Sequence, residues 1–171
     1  MEEIYNKINE LAKEIVAVCT ERGVKIATAE SCTGGMISAA ITSVSGSSAV
    51  IELGVCSYSN RIKSKLLDVS RETLDLCSEY STHCAEEMAR GVLELSGADF
   101  AVSTSGVAGP TGGSEENPVG TVYICVCDKS SASVKRYSFN DAPENGRELI
   151  RARATEQALL DLLDIIKNYK H

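Results

Sequence analysis

The feature that most constrains this chain is an alternation of helix-period segments with short apolar runs, each bounded by glycine or small polar turns. Residues 2–22 repeat apolar positions at helical spacing (Ile4, Ile8, Leu11, Ile15, Val18, Cys19), and Gly23 supplies a stop. Residues 24–29 read as a buried strand, 34–43 as a helix and 45–48 as a turn. Residues 55–59 read as a second strand, followed by a short helix carrying Lys63 and Lys65. Two further helices are expected near 71–78 and 82–96, the second opened by Ser81 as N-cap and closed by Gly97. Residues 99–105 read as a third strand, and a glycine-rich loop spans 106–118. A hairpin of 119–127 and 131–139 precedes a final helix of about 26 residues. Helices alternating with strands imply an α/β fold in three layers, α/β/α, and the late hairpin makes its sheet mixed.

The length, 171 residues, suits a single domain over 1–171 that closes its own core. No apolar run approaches a membrane span, and the N-terminus reads as an acidic amphipathic helix rather than a signal peptide. A cytoplasmic location is therefore expected. The net charge of −7 argues against a nucleic-acid partner, but one phosphorylated metabolite needs only an Arg and a few amides. The seven cysteines are odd in number and form no CxxC pair, which indicates neither a disulfide framework nor a zinc ribbon. Cys125 and Cys127 alternate along a strand, face one side and read as small core residues.

Three segments could carry chemistry. The first, Ala29-Glu30-Ser31-Cys32-Thr33-Gly34-Gly35, joins a strand to a helix, where a sharp turn exposes side chains and the helix start directs N–H groups outward. Ser31 is well placed there as a nucleophile, with the amides of Thr33 to Gly35 behind it for an oxyanion. The plainer reading is that Ser31 or Thr33 caps the helix. A serine nucleophile needs a base, and the chain holds only His83, in the first turn of a surface helix, and the terminal His171. That weakens a Ser–His–Asp arrangement and leaves a lysine whose amine is uncharged because it is buried or near other cations.

The second segment, Tyr58-Ser59-Asn60-Arg61-Ile62-Lys63, again joins a strand end to a helix, so Tyr58 and Lys63 could reach the cleft mouth that holds Ser31. Arg61 or Lys65 could help to depress the Lys63 pKa; a solvated helix lysine is the alternative. The third runs from Ser105 to Ser114 and places four glycines, Gly106, Gly109, Gly112 and Gly113, within eight positions. It suits amides wrapped around a phosphate or ribose, or else a plain surface loop, and is neither a Walker A sequence nor a dinucleotide fingerprint. Arg147, Arg151 and Arg153 cluster at the start of the last helix, available to an anionic ligand or to surface salt bridges.

Taken together, these blocks resemble the C-terminal domain family of the competence/damage-inducible protein CinA, which also occurs alone as nicotinamide-nucleotide amidase. The matching stretches are Thr28 to Gly35, Gly46-Ser47-Ser48-Ala49, Tyr58-Ser59-Asn60 with Lys63, Ser105 to Pro110, Gly112-Gly113, Pro118 to Val122, and Arg147 and Arg151 with Ala154-Thr155, in order over about residues 5 to 165. The resemblance implies deamidation of nicotinamide mononucleotide to nicotinate mononucleotide and ammonia, with Ser31 as nucleophile, Lys63 as base and Tyr58 assisting proton transfer. The expected substrate contacts are Thr33, Gly34, Gly35, Ser48, Asn60, Ser105, the loop glycines and Arg147. It implies no cofactor and no metal, a homodimer, a stand-alone form without the usual N-terminal partner domain, and neither nucleic acid nor membrane as partner. A non-catalytic nucleotide sensor and a metal-dependent phosphate-cleaving enzyme are the competing readings. Three positions depart from the commoner family pattern: Asn117 stands where a lysine often precedes Pro-Val-Gly, Thr82 where a glutamate is usual, and Asp68 where a glycine usually follows Leu67.

Overall fold

A computed structural model describes residues 1–140 and 146–169. The elements run α1 (Glu2–Arg22), β1 (Ile26–Glu30), α2 (Met36–Thr42), β2 (Ile51–Cys56), α3 (Asn60–Leu67), α4 (Thr82–Ser96), β3 (Phe100–Gly106), β4 (Thr121–Asp128), β5 (Ala132–Ser138) and α5 (Arg147–Asn168). The five strands form one mixed sheet in the order β2-β1-β3-β4-β5. β1 pairs in parallel with both β2 and β3, and β4 and β5 add antiparallel.

Alternation along the strands divides the core between the two faces. Ile26, Phe100, Val102, Val122, Ile124 and Val126 pack with α1, α2 and α5. Ala27, Ala29, Ala101, Tyr123, Cys125 and Cys127 turn to the other face and meet α4. The small residues on that face let α4 lie close to the sheet, and Cys125 and Cys127 serve there as buried free thiols. α4 is capped by Ser81, whose hydroxyl accepts from the Cys84 N–H at 3.1 Å. Among the described residues no helix is long and apolar enough to cross a membrane.

One expected element differs in its bounds and another in its winding. The second strand begins and ends earlier than 55–59: β2 is an edge strand whose residues alternate between half-buried and exposed, so its apolar signal is diluted by Glu52 and Gly54. The helix expected near 71–78 is present, wound wider than an α-helix, as a π-helix over Thr73–Cys77. Glu87 of α4 organises it by accepting from the Ser70 N–H (2.9 Å) and the Thr73 hydroxyl (2.9 Å). The final helix is described to Asn168, and His171 lies outside the described residues.

α3 and α4 cross at Gly91, where a Cβ would stand 2.0 Å from the Leu67 carbonyl oxygen. Gly91→Ala should therefore destabilise the fold by about 2 kcal/mol, overpacking outweighing the ~1 kcal/mol that alanine gains over glycine in a helix. Denaturant unfolding measures this; a variant as stable as the parent would mean that the crossing is loose.

Candidate active site

Two strand-end turns, far apart in sequence, meet at one edge of the sheet. β1 delivers Ser31 and β2 leads through Ser57 into α3, which carries Lys63. Lys63 is 1% exposed. Its Nζ lies 3.1 Å from Ser31 Oγ and donates to the Ser57 carbonyl at 2.9 Å. No salt bridge to Lys63 is found among the described residues. Burial lowers its pKa below the ordinary lysine value, against an opposite pull from Cys84, Glu79 and Cys32. Burial is thus the cause, and the expected help from Arg61 or Lys65 is not what depresses the amine; both are exposed.

The Ser31 turn is fixed from three sides. The Ser31 N–H donates to the Thr104 carbonyl of β3 (3.0 Å) and the Thr33 hydroxyl pairs with that of Thr104 (2.8 Å). Arg151 of α5 donates to the carbonyls of Cys32 (3.1 Å) and Thr33 (2.8 Å). Glu30, fully buried, accepts from the N–H groups of Gly35 (3.0 Å), Ile37 (3.1 Å) and Ser38 (2.9 Å). A carboxylate therefore fills the N-terminus of α2. Gly34 and Gly35 take φ of 62° and 96°, which glycine adopts at least cost, and a Cβ on Gly34 would press to 3.0 Å from Arg151.

Two of the three amides from Thr33 to Gly35 expected behind an oxyanion are already engaged. The Gly35 N–H is spent on Glu30 and the Gly34 N–H on the Ser31 carbonyl at 3.1 Å. Glu30 does not stand out in the sequence; a carboxylate that ends a strand just before a turn with two glycines is the signal that marks it.

The cavity beside Ser31 and Lys63 is also lined by Tyr58, Asn60, Gly106, Gly109 and Arg147. Cys32, Glu79, Tyr80, Val107, Ala108 and Thr111 complete its lining, none of them singled out from the sequence. Arg147, the first residue of α5, donates to the Gly109 carbonyl (2.6 Å) and to the Tyr58 hydroxyl (2.8 Å). Tyr58 is 62% exposed and its hydroxyl is engaged by Arg147, so it stands at the mouth and makes no hydrogen bond to Ser31 or Lys63. Other expected contacts lie elsewhere. Ser48 is exposed in the turn Ser47–Ala49 beyond the far end of α2, Ser105 is buried with its hydroxyl on the Glu79 carbonyl (2.6 Å), and Gly112 and Gly113 are exposed outside the lining. Gly106 has a structural reason to be glycine, since a Cβ would meet the Thr121 carbonyl at 2.4 Å. His83 is exposed on α4.

The family model of the CinA C-terminal domain matches residues 8–166. The chain belongs to this family. A CinA-like protein of Syntrophomonas wolfei is 46% identical over 156 residues, 91% of this chain and 36% of that protein. Among solved CinA-family structures, the competence/damage inducible protein CihA from Agrobacterium tumefaciens superposes with a TM-score of 0.86 at 39% identity, covering 95% of this chain and 96% of that one. Competence damage-inducible protein A from Klebsiella pneumoniae gives a TM-score of 0.89 at 35% identity, with 95% and 99% covered. The chain spans between 28% and 40% of the length of the curated CinA-like relatives it matches.

Of the departures from the family pattern, Asn117 is buried behind the cavity wall, donating to the Tyr80 carbonyl (3.2 Å) and accepting from the Tyr123 hydroxyl (2.9 Å). Thr82 is exposed at the start of α4. Asp68 closes α3 with φ 54°, a left-handed conformation that a glycine takes without strain.

Burying the Lys63 amine costs stability below its unfolded pKa. The depressed folded value means that the penalty is full at low pH and disappears as pH rises towards the ordinary 10.5. Lys63→Met should accordingly raise stability by about 1 kcal/mol or more at neutral pH, with the gain shrinking as pH approaches 10.5. Paired melting curves across pH check this, and equal stabilities at every pH would show that burial does not penalise the ammonium.

Proposed function

We propose that this domain is a serine amidohydrolase that deamidates nicotinamide mononucleotide to nicotinate mononucleotide and ammonia. The observation that carries the reading is the 3.1 Å contact between the Ser31 hydroxyl and a buried lysine amine whose pKa burial depresses. Uncharged Lys63 accepts the Ser31 proton as Oγ attacks the carboxamide carbon. The tetrahedral oxyanion is received by backbone N–H groups of Ala108 and Gly109, residues that line the cavity and whose N–H groups donate no hydrogen bond among the described residues. Lys63 returns the proton to the leaving nitrogen, ammonia departs, and water activated by the same amine hydrolyses the acyl-enzyme. The positive pyridinium makes the carbonyl more electrophilic, and Arg147 at the mouth offers the phosphate a charge-assisted partner. Tyr58 belongs in this scheme to the mouth, through Arg147, and not to the proton path.

Ser31→Ala and Lys63→Ala should each lower kcat for ammonia release by about a thousandfold or more with the fold intact. Since the neutral amine is the active form, kcat/KM of the parent should rise with pH through an inflection below 10.5, and chelators should leave it unchanged. Near-parental ammonia release by either variant would refute the dyad; binding without release by the parent would mark a nucleotide sensor.

A further inference from the structure

Glu79 lines the cavity beside Lys63, on a segment held firmly from behind: its carbonyl accepts from the Ser105 hydroxyl (2.6 Å) and that of Tyr80 from Asn117 (3.2 Å). The groups acting on Lys63 are Cys32 after β1, Cys84 on α4 and Glu79, with Tyr58, Tyr80 and Arg147 around the same cavity. Burial pushes the Cys84 thiol up to about 11 and that of Cys32 up to about 12, so both are uncharged at neutral pH. Glu79 is the carboxylate that remains among these groups. Alone it works against the dyad, because a negative charge favours the ammonium form of Lys63. That cost disappears when a positive charge is placed beside it. In the same lining the exposed Arg147 supplies the opposite sign, so one cavity carries a carboxylate that acts on Lys63 and a guanidinium held beside Tyr58.

We propose that Glu79 is a specificity-determining residue that selects a carboxamide on a positively charged ring bearing an anionic tail, the ring lying towards Glu79 and the tail towards Arg147. The identity of the reaction rests on the amidase reading above; the charge selection can be measured without turnover. A cationic ring offsets Glu79 and itself disfavours the ammonium, so binding of the correct substrate also readies the base.

The test compares Ser31→Ala with Ser31→Ala/Glu79→Gln in the full chain, titrated calorimetrically with nicotinamide mononucleotide and with its reduced form, whose ring is uncharged. Glu79→Gln should weaken the oxidised form roughly tenfold and leave the reduced form within about twofold. In the otherwise unaltered enzyme, Glu79→Gln should raise KM for the oxidised form and move the acid limb of kcat/KM to lower pH, as removal of the carboxylate lets Lys63 lose its proton more readily. A general loss of folding would weaken both nucleotides alike and leave the acid limb in place. Equal weakening of both forms, an unchanged affinity for the oxidised form, or binding of neither overturns the proposal. If the parent releases no ammonia while the oxidised form still binds through Glu79, the amidase reading fails and charge selection stands.

Discussion

An aliphatic amine held out of water without a carboxylate bonded to it is the constraint around which this molecule is arranged. Lys63 Nζ meets the Ser57 carbonyl and the Ser31 hydroxyl, and neither compensates the charge that water would have stabilised. The amine stays there because its helix has no freedom to withdraw it. α3 is eight residues long, Ser59 caps its start, and its Leu67 end is pressed against Gly91 of α4. Stability is thereby exchanged for an amine that gives up its proton more readily than an ordinary lysine.

The parallel half of the sheet makes the encounter possible. β2, β1 and β3 run the same way, so the connections leaving them open on one edge: Lys63 after β2, Ser31 after β1 and the Gly106–Thr111 loop after β3. The antiparallel pair β4 and β5 contributes support, with Tyr123 of β4 anchoring Asn117 behind Tyr80. Glu30 then decides what kind of turn Ser31 occupies. By satisfying the amides at the head of α2, it occupies a potential anion-binding helix start and fixes the turn that carries Ser31.

The placement of Ser31 and Lys63 was legible because strand–turn–helix junctions are written locally, in an apolar run followed by small or polar residues; choosing them over a helix cap and a solvated lysine took the family resemblance. The mixed sheet was legible locally too, from the hairpin around Asp128. What escaped was set by packing across layers. Glu79 and Tyr80 sit in a stretch without periodicity, shaped by Glu87 of α4 and by Asn117, both distant in sequence. Edge strand β2 alternates in exposure and carries Gly54, so its start gave no strong run. Ser48 shared a recognisable block with real site segments, yet α2 carries the chain away from the cavity before that turn. The glycines of the third loop looked like a phosphate cradle, whereas Gly106 and Gly113 are small chiefly because β4 and the segment leading into it pass so close.

The three departures from the family pattern fall where the cavity wall is built, and none touches the Ser31–Lys63 contact. Asp68 ends α3, Thr82 begins α4, and Asn117 fastens the Tyr80 carbonyl. The chain between Asp68 and Thr82 is the piece that carries Glu79 and Tyr80 to the inner face. A lysine at 117 would bring a long cation into a position 5% exposed, where the asparagine now satisfies both a carbonyl and a phenol. Asn117 thus acts on the wall through the Tyr80 carbonyl, and the hydroxyl–amine pair lies outside its contacts.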